Sequence, residues 1–430
     1  FYIDDSGPSL PHIIHDCRIC AMSNNRILAT IFFIIFLDLL GVGIIIPILP
    51  ALFEHQSSHP LLFLGNMISP TLKYIFYGLL IALYSIGRFF AAPILGDLSD
   101  VYGRRKILIF SLIGTALGYF LFAYGIWKQA LELLFISRLV DGITGGNIST
   151  AQAVIGDVSK PEDRAKNFGM IGAAFGLGFI LGPFLGGILS DNSVLSWFNP
   201  KVPFIFAGIL SMLSMLMTLV FLPETAPRTE TVFKLNIKKP IQHIGKALRD
   251  PHLGRLFVVS FLFTVGFGFY TSFFALYLSH KFFLTEKSIG LFFAYSGIFI
   301  AFMQLFVTRH VAKKYPDTTV LGVSFLMIAF SVSLYASVSK VWMLYLLPPF
   351  AALWIGLTLA NFMSLLSKRA GDRAQGEVFG LNASMQSAGE IIPPIVAGIF
   401  ATKFSPVAPL FMSVFTLFLT HIVIQKELEK

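Results

Sequence analysis

The sequence predicts an all-α membrane protein, with twelve transmembrane helices in two six-helix halves, and three observations carry that prediction. Of its 430 residues 55% are hydrophobic and only 13% are charged, with 46 Phe, which leaves no solvated surface for a water-soluble globule of this size. Apolar stretches of about 20 residues, enough to cross a ~30 Å hydrocarbon core, recur along the whole chain. They lack the alternation of a barrel strand, so their backbone groups must be satisfied inside helices.

The spans fall near residues 27–53, 73–95, 107–126, 131–155, 167–190 and 202–222, then 254–279, 288–308, 318–338, 341–366, 377–402 and 406–424. Between the sixth and seventh lies the longest polar segment, 223–253, opening Leu222-Pro-Glu-Thr225 and rich in Pro, Lys and Arg. It divides the chain into an N-terminal bundle (27–222) and a C-terminal bundle (254–424), with a leader at 1–26 and a tail at 425–430. Two such halves place a binding site near the membrane midplane, where they meet.

Lys and Arg set the orientation, because cytoplasmic loops carry their excess. With both termini inside, inner segments hold 23 of them and outer loops 7, leaving Arg88 and Arg138 within helices. The net charge of +9 is thereby explained as topology, and no nucleic-acid partner is expected. No segment is large enough for a soluble catalytic domain, so neither an enzyme, a cofactor nor a metal site is expected. The first 21 residues fit poorly with the rest, since Met22-Ser-Asn-Asn-Arg26 reads as a natural start; the lone CxxC of Cys17 and Cys20 lies in that stretch and is weak evidence for a redox pair or half a zinc site.

Along the chain, the first span carries DLLGVGIIIPILP from Asp38 to Pro50. A carboxylate that deep costs ~3 kcal/mol or far more, so Asp38 should face a cavity unless it reaches the headgroups. Arg88 lies in the inner part of span two, either as a counter-charge or snorkelling to the surface. Next comes the polar loop Gly96 to Lys106, GDLSDVYGRRK. Gly96 allows close approach of another backbone and Gly103 the turn into the third helix, while Asp100 can cap a helix or pair with Arg104. In span four, RLVDGITGG sets Arg138 and Asp141 on one helical face; they form either a mutually neutralising ion pair or a coupling group.

Span five reads GAAFGLGFILGPFLGG. Gly178, Gly182 and Gly186 make a ridge at small-xxx-small spacing for a tightly packed partner, with Gly187 beside it, and Pro183 removes one backbone hydrogen bond so that the helix can bend. In the second half, Glu390 stands mid-span in QSAGEIIPP as the single acidic residue in the interior of those spans. It is either a proton carrier or a hydrogen-bonded core group. Phe267, Tyr270, Phe273 and Trp354 are candidate aromatic contacts for substrate, although lipid-facing filler explains any one of them equally well.

The loop fills every fixed place of GxLxDxxGRRK, with Gly96, Leu98, Asp100, Gly103, Arg104, Arg105 and Lys106, and resembles the loop between helices two and three of major facilitator transporters. From Asp38 to the end of span twelve, the chain resembles the tetracycline-efflux branch of the twelve-helix drug:proton antiporters; RLVDGITGG and PEDRAKNFGMIGAAFGLGFILGPFLGG carry most of the likeness. The resemblance implies a monomeric proton-coupled exporter of a small, amphipathic or drug-like molecule, in the inner membrane of a bacterium. It implies a proton site at Asp38, an arginine at 138 that biases a nearby carboxylate, and a latch of Asp100, Arg104 and Asp157 holding the outward-open state. It also makes the GxxxGPxxGG string an antiporter motif on which the halves rock. Two residues depart from the pattern: Asp141 is usually neutral, and Gly118, before Tyr119, stands where that branch has an acid, which puts tetracycline itself in doubt. The rival reading is a proton-coupled importer of a sugar, amino acid or organic acid. A membrane receptor or scaffold that transports nothing is a further alternative.

Overall fold

The computed structural model describes residues 24–53, 72–159, 164–226, 236–370 and 375–428, and among them every regular element is a helix. The two cysteines and residues 1–23 of the expected leader lie outside the described residues. Span one is α1 (Asn24–Ile45) followed by α2 (Ile48–Phe53), broken at Ile46 and Pro47 because proline has no N–H to continue the ladder. Spans two and three are α3 (Lys73–Tyr102) and α4 (Arg104–Lys128). Span four consists of α5 (Leu131–Thr144) and α6 (Asn147–Val158), parted at Gly145 and Gly146. Spans five and six are α7 (Arg164–Ser190) and α8 (Val202–Phe221).

The connecting segment holds a short helix, α9 (Lys239–Arg249), which apolar periodicity alone did not single out. Beyond it come α10 (Gly254–Phe282), then α11 (Glu286–Phe302), which runs through a π turn (Met303–Val307) into α12 (Thr308–Lys314). The remaining spans are α13 (Asp317–Ser337), α14 with α15 (Val341–Leu344, Pro348–Ala370), α16 (Gln375–Lys403) and α17 (Ala408–Leu428). Eight of the described helices are long and apolar enough to cross a bilayer by composition alone. Spans four, five, eight and eleven are the others, and three of these carry ionised or broken segments that a hydropathy average penalises.

Within the first half α1 packs on α7 and α8, α3 on α5, and α4 on α5 and α8; in the second, α10 packs on α16 and α17, and α13 on α15 and α17. The halves are joined chiefly by α3 with α16 and α7 with α11, and α2 adds smaller contacts with α10 and α11. Exposed Phe110, Leu117, Ile209, Val220, Phe411 and Phe415 form an apolar exterior suited to lipid.

Asn24 donates to the Val158 carbonyl (3.1 Å), so span one begins where span four ends, and Arg255 donates to the Lys426 carbonyl (3.3 Å), so the second half begins and ends on one face; this is here the termini side. On the far side the halves are sealed. Gly78 is so close to the Pro394 carbonyl that no Cβ fits, Gly187 likewise meets Glu286 and Lys287, and Gly290 meets Pro183. Tyr77 donates to the Ser272 carbonyl (3.2 Å) and lies edge-on to Phe273 (5.0 Å). Lys287 pairs with Asp191 across the same seam (3.3 Å). Partial burial works to raise the Asp191 carboxyl, but Ser193 and Lys287 outweigh it and hold it below the usual range. Toward the termini side, by contrast, a Cβ added at Gly96, Gly176 or Gly380 would meet nothing within 4 Å among the described residues. Those three positions face open space, and α9 packs there on both α3 and α16.

Candidate functional site

The first half gathers a buried ionic cluster at the depth where α1, α3, α4, α5 and α6 converge. Asp38 is only 8% exposed; its Oδ1 accepts a 3.4 Å bond from Asn147 Nδ2, and its Oδ2 has no partner among the described residues. Asn147 reaches it because the helix breaks at Gly145 and Gly146, where the new turn of α6 leans on α3: a Cβ on Gly146 would come within 2.9 Å of the Ala92 Cα. A buried carboxylate with one oxygen unsatisfied is costly, which marks Asp38 as a place for a proton or a cation.

Arg138 donates through Nη1 to Asp141 Oδ2 at 2.7 Å, with both side chains buried. The guanidinium also stacks over Tyr84, 4.8 Å from the ring centre. The two departures noted in the sequence meet here. A Cβ built on Gly118 would lie 3.1 Å from the Asp141 Cβ, so the carboxyl delivered by span four occupies the space that an acid on span three would enter. Arg138 and Asp141 thus make an ion pair, one of the two roles their spacing offered.

Across the halves, Arg88 of α3 donates to Glu390 Oε2 of α16 at 3.3 Å, with side chains 27% and 38% exposed. Arg88 is therefore a counter-charge and does not snorkel. It also lies within electrostatic reach of Asp38, so the first-half cluster continues into the second half.

Asp100, Arg104 and Asp157 do come together. Arg104 pairs with Asp100, bonds Asp157 through Nε at 3.2 Å and Ser99 through Nη1 at 2.6 Å. These partners of Arg104 all belong to the first half. Arg105 turns away to the Leu219 carbonyl. Gly103 has φ of +102°, and a Cβ there would strike the Glu224 carboxylate, which also accepts from the Arg104 backbone N–H (2.6 Å). The expected close approach at Gly96 is not made among the described residues.

The glycine string serves two partners. Gly178, Gly182 and Gly186 pack on Leu39, Leu40, Gly43 and Ile44 of α1, inside the same half. The seam between halves is made by the adjoining stripe, where Ile180 meets Gly297, Pro183 meets Gly290, and Gly187 meets Glu286. The ridge expected to carry the rocking thus packs inside one half, and the surface beside it faces the other half. Spacing identified the ridge but not its partner.

Among the aromatic candidates, Phe273 is fully buried against Tyr77 in the far-side seal, which corrects its assignment to the cavity in this conformation. Phe267 and Tyr270 are partly buried, 5.8 Å apart, and Trp354 packs edge-on to Phe350 with its indole N–H unpartnered among the described residues.

Four other groups went unnoticed in the sequence. Glu224 and Asn147 are polar residues whose partners are remote in sequence. Asp97 pairs with Lys239 of α9, tying the connecting helix to span two. Asp317, buried at the start of α13, accepts from Lys368 (2.6 Å) and Ser364 (3.1 Å) of α15. That pair occupies in the second half the place of Arg104 and Asp157 in the first, with the charges exchanged.

The Major Facilitator Superfamily model matches residues 31–394. Tetracycline resistance protein, class H, from Pasteurella multocida is 31% identical over 378 residues, 86% of this chain and 88% of that one. Quinolone resistance protein NorA from Staphylococcus aureus (strain MRSA252) is 28% identical over 395 residues, 91% and 93% of the two chains. Among solved structures, the human organic anion transporter MFSD10 (TETRAN) superposes with a TM-score of 0.71 at 22% identity, covering 94% of this chain and all of that one. A bacterial homologue of the lysosomal transporter Spinster, inward-facing and unoccupied, gives 0.70 at 14% identity, over 94% and 98%. With fold, motifs and relatives in agreement over most of its length, the chain belongs to the major facilitator superfamily, as a multi-pass integral membrane protein.

Proposed function

We propose that this protein is a proton-coupled exporter of small, amphipathic or drug-like molecules, working by alternating access in the cytoplasmic membrane of a bacterium with both termini inside. The observation that carries the reading is the half-satisfied carboxylate of Asp38, buried beside Asn147 and within electrostatic reach of Asp141 and Arg88. Similarity to tetracycline and quinolone resistance proteins supports a drug-like cargo and outward direction, and the loop charges support the orientation.

In this mechanism Asp38 takes a proton from outside and gives it up inside, with the Arg138–Asp141 pair as its fixed neighbour. Protonation removes a charge that favours one arrangement of the halves, which shifts the population between states. The seams α3–α16 and α7–α11 open at one end as they close at the other. Each elementary charge moved inward releases ~2.3 kcal/mol per 100 mV of membrane potential, which drives the export. Asp100, Arg104 and Asp157 hold the turn between spans two and three so that the outward-open state can close on the termini side.

The reading is tested by accumulation of a panel of toxic compounds and metallophores in cells lacking their own efflux pumps. Cells with the protein should retain less of at least one compound, and Asp38→Asn should abolish the difference. Equal accumulation across a broad panel counts against export.

A further inference from the structure

Arg88 and Glu390 stand halfway along α3 and α16, on opposite halves, and touch through one hydrogen bond of 3.3 Å. A guanidinium has five donors arranged to grip a carboxylate with two; this pair is monodentate and partly exposed, 27% and 38%. Such a contact is easily exchanged.

Two acids compete for this cation. On one side is Glu390. On the other is Asp38, within electrostatic reach of Arg88 and with Oδ2 unpartnered among the described residues. Asp38 is also faced by Asn147, by the Arg138–Asp141 pair, and by Tyr84 and Tyr119. Arg138 is already committed to Asp141 at 2.7 Å, which leaves Arg88 as the cation available to a deprotonated Asp38. Around Glu390 the neighbours are different. α10 has no charged residue between Arg255 and His280, α15 none between Pro348 and Lys368, and α17 none between Ala408 and His421. The connecting helix α9 also packs on α16 and brings His243 to Ser384 (3.2 Å), six residues before Glu390; among the described residues Arg88 is the cation paired with Glu390, and its departure leaves the carboxylate open to another.

We propose that Arg88 is an exchangeable counter-ion, moving between Glu390 and Asp38, and that Glu390, once released, binds a cationic group of the substrate. The proposal rests on the antiport reading above. Antiport requires that proton and substrate weaken each other's binding, and the effect is reciprocal. A cation on Glu390 satisfies this: it sends Arg88 to Asp38, which expels the proton, while a proton on Asp38 returns Arg88 to Glu390 and expels the substrate. An anion on Arg88 behaves oppositely, since any proton that neutralises Glu390 would help it bind. The substrate class is therefore an organic ammonium or comparable cation with an apolar body, and the pairing observed here is the proton-loaded, substrate-free arrangement.

The exchange is tested without substrate by infrared titration of the Asp38 carboxyl in the full chain in nanodiscs, with Asp38→Asn identifying its band. In Glu390→Gln, Arg88 is free for Asp38 and stabilises its carboxylate, so half-protonation of Asp38 should require at least tenfold more protons, that is, a midpoint at lower pH; Glu390→Asp should restore the parent value. A midpoint unmoved within twofold overturns the exchange whatever the direction of transport. Substrate class is tested in everted vesicles with an aromatic amine series comprising quaternary ammonium, uncharged and carboxylate analogues of one ring system. The ammonium should accumulate at least tenfold over the others, and Glu390→Gln should lose at least nine tenths of that uptake, with Glu390→Asp keeping more. Uptake of the uncharged or anionic analogue to the same level, undiminished ammonium uptake by Glu390→Gln, or no ammonium uptake at all overturns the assignment of Glu390. Antiport itself is read separately, from proton movement, so its failure is distinguishable.

Discussion

Gly118 and Asp141 face each other across spans three and four, and a side chain on Gly118 would begin 3.1 Å from the Asp141 Cβ. The missing side chain on one helix makes room for the carboxyl on the other. Overpacking of this kind costs ~1–3 kcal/mol, so Gly118→Ala should lower the melting temperature of the purified protein, measured in detergent, and the larger Gly118→Val should lower it further.

Arg138 depends on the same carboxyl. Removing one partner of a buried pair leaves an uncompensated charge at a cost of about 3–5 kcal/mol. Asp141→Asn should therefore destabilise the protein by several kcal/mol, and adding Arg138→Gln should recover part of that loss. A thermal-shift double-mutant cycle measures the coupling.

Gly78 controls the far-side seal. Its backbone presses on Pro394, where a Cβ has no space, so Gly78→Val should prevent closure and hold the protein open on the side opposite its termini. A cysteine introduced at Phe273, buried here against Tyr77, should label from that side at least several-fold faster in the Gly78→Val background, and transport should be lost.

Gly103 turns the chain at φ +102° with Glu224 against it. Backbone there is open almost solely to glycine, and other residues are strained by about 1–3 kcal/mol. Gly103→Ala should lower stability by that order. Glu224→Gln should weaken it less, because an amide oxygen can still accept from the Arg104 N–H.

How much of this could be read beforehand follows from the range of each interaction. Composition and apolar run length are local, so the helices of the two halves, and the polar loop between the second and third, were legible. The charges of Asp100, Arg104 and Asp157 were legible as a group because a resemblance joined them. Glu224, Asn147 and the Asp317–Lys368 pair have partners that sequence spacing does not mark. Phe273 could not be told from a cavity residue, since a plug and a binding wall are built from the same side chains. Gly178, Gly182 and Gly186 announced a close contact, but only the packed helices reveal that α1 lies on that ridge and α11 on the stripe beside it.

Proton movement in everted membrane vesicles tests the central claim most directly. The lumen is acidified by respiration, and a compound that the protein keeps out of intact cells is then added while luminal pH is followed. Export by antiport predicts that the lumen becomes more alkaline as the compound enters it, and that Asp38→Asn abolishes the change. Protons moving in the same direction as the compound, or an unchanged response in Asp38→Asn, would contradict it.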